Sequence, residues 1–179
     1  GGTLTDQSAS SINIKLVDAI DNVSVNKEEA YRLTITPKAI TVEAVAERGV
    51  YWAMQTLFQL KEAGGRNRLQ CCTITDWPAF RIRGFMQDVG RSYLSLEELK
   101  REIAILSRFK INTFHWHLTE NQAWRLESKI FPMLNDSTNM TRMAGKYYTL
   151  EEARELTEFC KAHQVLLIPE IDMPGHSAA

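Results

Sequence analysis

The chain has 179 residues, 44% of them apolar, with 21 Lys and Arg against 22 Asp and Glu for a formal net charge of −1. Acids and bases are interspersed, so neither nucleic acid nor an anionic membrane is an expected partner, and the apolar content suffices for one core or two small ones. No apolar run approaches the ~20 residues of a membrane helix, and three Cys, two of them the adjacent Cys71 and Cys72, fit neither a disulfide framework nor zinc-ligand spacing. The cysteines are expected to be small core residues. No charged-then-apolar leader opens the sequence, which starts at Gly1-Gly2, so the compartment is not legible.

In residues 11–17, Ile12, Ile14 and Leu16 alternate with polar neighbours, and residues 31–35 and 40–45 read as two more strands joined at Pro37-Lys38. Together they predict a small antiparallel sheet. Over 47–61, Val50, Ala53, Met54, Leu57 and Leu60 recur at three and four residues, which predicts an amphipathic helix stopped by Ala63-Gly64-Gly65. A strand over 69–75 ends at Asp76-Trp77-Pro78, where the proline and a change of pattern mark a boundary. Residues 1–76 are therefore expected to form a small α+β domain.

From residue 77 the pattern becomes strand, helix, strand, helix, strand. A strand over 84–89 precedes Ser95-x-x-Glu98, a capping box opening a helix with Leu99, Ile103, Leu106 and Phe109 on one side. The next strand covers 112–118. After a polar loop at 134–145, a second capping box, Thr149-x-x-Glu152, opens a helix that buries Ala153, Leu156, Phe159 and Cys160, and the last strand covers 165–171. Such alternation predicts parallel strands with right-handed crossovers, an α/β arrangement over residues 77–179.

The densest chemistry is FHWHLTENQAWR at 114–125. With side chains alternating at period two, His115 and His117 share one strand face with Thr113, and Phe114, Trp116 and Leu118 share the other. Glu120, Asn121 and Arg125 follow where a loop can present them, and Trp116 or Trp124 offers a flat surface on which a pyranose can stack. A buried strand with its histidines satisfied by neighbours is the plainer alternative. All three strands turn polar only at their carboxyl ends: Asp88, Gly90 and Arg91 after the first, His117, Glu120 and Asn121 after the second, and Glu170, Asp172 and His176 after the third. In parallel α/β folds functional groups gather at that rim. Asp88 is expected to cap the following loop rather than to act. His115, His117, Glu170, Asp172 and His176 could in principle converge on a metal, but no tight ligand motif is present; neither metal nor cofactor is expected.

RGFMQDVGR at 83–91, HWHLTENQAWR at 115–125 and IPEIDMPGH at 168–176 closely resemble, in order and spacing, the β-N-acetylhexosaminidases of glycoside hydrolase family 20. ERGVYWAMQTLFQL at 47–60 resembles the small α/β domain that precedes the barrel in that family. The resemblance implies that residues 77–179 are the first three βα units of a (β/α)8 barrel. It further implies hydrolysis of terminal N-acetylglucosamine or N-acetylgalactosamine on glycans with retention, the substrate's own 2-acetamido group serving as nucleophile. Arg91 matches the arginine that holds sugar hydroxyls, Asp172 and His176 match groups that support the acid–base carboxylate, and His117 is a further candidate. Glu120 stands where the family usually has Asp, so Glu120→Asp is expected to be tolerated.

The family's adjacent Asp-Glu pair is not found in these residues, and at ~31 residues per βα unit the span from Gly84 to Ala179 holds about three strands. The expectation is a fragment that is inactive alone and that self-associates through the unpaired edge of its third strand. Alternatives are another exo-glycosidase with the same preceding domain, or a noncatalytic carbohydrate-binding or scaffold protein.

Overall fold

A computed structural model describes residues 11–64 and 69–179. The chain divides into two compact units, 1–81 and 82–179. Among the described residues no helix is long and apolar enough to cross a membrane.

The first unit is a four-stranded sheet bearing one helix. Its strands are β1 (Ile12–Leu16), β2 (Tyr31–Ile35), β3 (Ile40–Ala44) and β4 (Cys72–Asp76), in the order β1-β3-β2-β4. The sheet is mixed, not antiparallel throughout as expected: β1 runs parallel to β3, with Ile14 opposite Val42. Alternation reveals strands but not their partners, and the long connection over 17–30 lets β1 skip β2 and pair from outside. Helix α1 (Glu47–Gly64) lays Trp52, Ala53 and Leu57 against the alternating Tyr31, Leu33, Ile35, Ile40, Val42 and Ala44. Its close approach depends on Gly49, where a Cβ would stand 2.4 Å from the Ala30 carbonyl oxygen. Strand β4 begins later than expected; of the three cysteines Cys160 is buried in a core, Cys72 is half-buried and packs against the first unit's core, and Cys71 is exposed, against expectation.

The second unit is a parallel sheet of β5 (Gly84–Asp88), β6 (Thr113–His117) and β9 (Leu166–Glu170), in that order, with helices α2 (Leu96–Arg108) and α3 (Leu150–Ala162) as crossovers. Both capping boxes form: the Ser95 and Thr149 hydroxyls accept from the Glu98 and Glu152 N–H groups, and each Glu side chain accepts from its cap residue's N–H. The helices bury Leu99, Ile103, Leu156 and Cys160 against Phe114, Trp116 and Leu118. Phe109 does not join that face; it is 73% exposed, because the helix ends at Arg108 and the chain turns away at Lys110, whose φ is 61°. Between β6 and α3 lie two short strands, β7 (Thr119–Glu120) and β8 (Ala123–Trp124), which form a hairpin ahead of the irregular segment 126–148.

Candidate active site

The parallel register sets Asp88, His117 and Glu170 side by side at the carboxyl ends of β5, β6 and β9, with Met86, His115 and Ile168 one pleat upstream. Neighbours in register share a face. That face is the one away from the helices, since Phe114 and Trp116 occupy the other. Strand order and register, acting on the period-two alternation of each strand, thus place both imidazoles and both acids together.

Two linked groups of polar side chains result. In one, the Glu170 carboxylate lies between the two histidines of β6: Oε1 is 3.1 Å from His117 Nδ1, and Oε2 meets His115 Nε2. Burial pushes the Glu170 pKa up, but hydrogen bonding with Asp172 and the contacts with His117 outweigh that and hold it below the usual glutamate value. In the other, Glu120 sits on the β7–β8 hairpin with its side chain only 2% exposed. Its Oε2 accepts from the Asn121 N–H at 2.8 Å, and its Oε1 meets both Arg91 Nη2 and His176 Nδ1. Burial alone would raise its pKa; the Asn121 N–H, Arg91 and His176 together lower it. His117 connects the groups, its ring edge-on to His176 at 5.9 Å and its Nε2 3.9 Å from Glu120 Oε1.

Arg91 and His176 are each about half exposed, with side-chain exposures of 47%, while the carboxylate they share is buried. A buried anion therefore fixes two accessible cation-capable groups at the rim. Asp88 caps its own turn, as expected, accepting from the Arg91 N–H at 3.0 Å and from its guanidinium at 2.5 Å. His176 sits at φ 53°, in the left-handed region that a non-glycine residue adopts at a cost, which aims its ring back over Glu120. Asp172 is anchored by its own N–H to Thr119 Oγ1 at 2.9 Å.

Ligand atoms of His117, Glu170 and Asp172 lie within 4.8 Å of one another, the separation a shared cation requires. Both Glu170 oxygens already face imidazole nitrogens. The cluster thus coheres through imidazole–carboxylate contacts between its own side chains.

Two expectations fail here. Trp116 cannot be a stacking surface for a sugar: it is 1% exposed, packed in the core against Tyr148, because it shares the inward parity of Phe114. Arg125 is not presented by a loop either. It is fully buried, donating to the carbonyls of Val89, Gly90, Arg142, Met143 and Lys146. Glu170 is more central than the sequence suggests: its strand-end position is the only local signal, and the register opposite His117 sets it between the two imidazoles. Trp124 is half-buried on β8.

The sequence of residues 80–179 matches the model of the glycosyl hydrolase family 20 catalytic domain, and residues 2–77 match that family's domain 2. A β-hexosaminidase of Porphyromonas gingivalis is 38% identical over 174 residues, 89% of this chain and 22% of that protein, and one of Vibrio furnissii is 40% identical over 167 residues, 85% and 27%. The chain thus spans about a quarter of these relatives. Among solved structures, the β-N-acetylhexosaminidase of Bacteroides fragilis superposes with a TM-score of 0.83 at 34% identity, covering 93% of this chain and 34% of that one. The exo-β-N-acetylglucosaminidase of Vibrio harveyi, in complex with N-acetylglucosamine, gives 0.81 at 35% identity over 93% and 28%. With both family domains matched in order and the rim residues gathered on one sheet face, the chain belongs to glycosyl hydrolase family 20, spanning its domain 2 and the start of its catalytic domain.

Proposed function

We propose that this chain is part of a retaining exo-β-N-acetylhexosaminidase, comprising a small domain over 1–76 and the first three βα units of a (β/α)8 barrel over 77–179. The observation that carries the reading is the convergence of Arg91, Glu120 and His176 at the carboxyl rim of parallel strands, where barrel enzymes hold their substrates. Arg91 forks onto hydroxyls of the terminal N-acetylhexosamine, and Glu120 fixes its guanidinium from behind. His176, with Asp172 and His117, supports an acid–base carboxylate supplied by a later strand. The substrate's 2-acetamido oxygen attacks the anomeric carbon while that acid protonates the leaving oxygen, so no enzyme nucleophile is required.

The 179 residues contain no adjacent Asp-Glu pair. As an isolated polypeptide the chain is therefore inactive, since positioned proton transfer is worth ~10²–10⁴ in rate, and it associates with itself through the open side of β9. The test is hydrolysis of an aryl N-acetylglucosaminide by the parent enzyme and by the 179-residue chain. Turnover by the parent only is the expected result. A parent that cleaves aryl glucosides but not the N-acetylated substrate sinks the hexosaminidase reading, and turnover by the short chain sinks the division of labour.

A further inference from the structure

We infer that Gly90 is a positioning residue of this active site: by lacking a side chain, it leaves residue 120 the room to set its carboxylate between Arg91 and His176. The inference rests on the hexosaminidase reading for its kinetic consequence, though not for its geometry.

Gly90 is not in the left-handed region, so backbone freedom does not explain the glycine. Space does. A Cβ at Gly90 would stand 2.9 Å from Glu120 Cβ, 3.2 Å from Glu120 Cγ and 3.2 Å from the Thr119 carbonyl carbon. These atoms lie in the backbone and at the root of a side chain, so none can swing aside as a side-chain tip would. Glu120 sets Cβ and Cγ over Gly90 and carries its carboxylate on to Arg91 and His176.

Neither side of the contact is free to recede. Gly90 donates its N–H to the His117 carbonyl at 3.3 Å, and its own carbonyl accepts from Arg125 Nη2 at 3.3 Å. Across from it, Thr119 Oγ1 accepts the Asp172 N–H, Glu120 pairs with Ala123 in the hairpin, and Glu120 Oε2 accepts the Asn121 N–H. A methyl group at position 90 must therefore displace β7 by some tenths of an ångström, and the displacement is passed to the carboxylate. Gly84, in β5, is different: there a Cβ would have its nearest neighbour at 3.8 Å.

The experiment is a double-mutant cycle in the parent enzyme, with wild type, Gly90→Ala, Glu120→Gln, the double variant, and Gly84→Ala as control. kcat and KM on an aryl N-acetylglucosaminide and the thermal midpoint are measured for each. Gly90→Ala is expected to lower kcat/KM by about tenfold or more with Glu at 120, and by less than about twofold with Gln there, while its effect on the midpoint is the same in both backgrounds. Gly84→Ala stays at wild type. Equal kinetic losses in both backgrounds, or none with Glu120, overturn the inference. A crystal structure of Gly90→Ala in the 179-residue chain reads the geometry without any activity: Glu120 loses Arg91 or His176, and retention of both contacts overturns the inference even if the hexosaminidase reading has failed. If Gly90→Ala does not fold, Gly90→Ala/Glu120→Gly, which removes the Cβ and Cγ it meets and leaves only the 3.2 Å approach to the Thr119 carbonyl carbon, must fold, and its failure overturns the inference.

Discussion

Glu120 combines near-complete burial with three partners that favour its anion, and the balance falls on the side of charge. Asp88 and Glu170 are lowered too, against the upward push of their burial, by Arg91 and by Asp172 with His117 respectively. A carboxyl whose folded pKa lies below its unfolded value adds stability above the unfolded pKa and loses it as pH falls through the folded one. The urea midpoint of the chain should therefore drop on acidification below about pH 4, and Glu120→Gln should flatten that drop; parallel curves would mean that Glu120 contributes none of it. In the parent enzyme, Arg91→Ala is expected chiefly to raise KM and His176→Ala chiefly to lower kcat, and Arg91→Ala within twofold of wild type in both constants would leave Arg91 as a mere ion-pair partner. Strand-end position marked Arg91, Glu120 and His176 in the sequence, beside the family resemblance. It could not separate them from Arg125, because a polar residue after a strand has the same signature whether it faces solvent or is enclosed.

Helices α2 and α3 were legible because a capping box is a local device whose four residues carry the whole signal. The β7–β8 hairpin was not, since two-residue strands have no period, yet it is the element that holds Glu120 and Arg125. Arg125 joins the end of β5 to the segment around Met143 through five main-chain carbonyls, with no carboxylate partner among the described residues, and burial lowers its pKa. A guanidinium suits this task because its donors fan out in a fixed plane. Arg125→Met leaves those carbonyls unpaired and should cost on the order of 3 kcal/mol or more, read as a lower denaturant midpoint, with Arg125→Lys recovering only part. A midpoint unchanged by Arg125→Met would show that water replaces the side chain at no cost.

In the second unit β9 pairs with β6 on one side; Leu166 and Ile168 are exposed on the sheet face of His115, and on the helix-bearing face lies an apolar cleft of about 410 Å³ lined by Trp116, Leu118, Leu150, Ala153, Leu167 and Pro169. Unpaired strand edges next to apolar surface invite association. Light scattering of the purified 179-residue chain is expected to report a dimer or larger species, and a monomer at tens of micromolar with protected β9 amides would refute it. The sequence by itself determined the alternation of elements in the second unit, the shared strand face of Phe114 and Trp116 and the rim position of the acids and histidines, because each depends on local spacing. Tertiary structure decided that β1 lies beside β3, that Glu170 joins His115 and His117, that Arg125 is enclosed, and that Glu120 rests on Gly90. Those outcomes depend on which distant backbones come into contact, and residues far apart in the chain carry no local record of how closely they will meet.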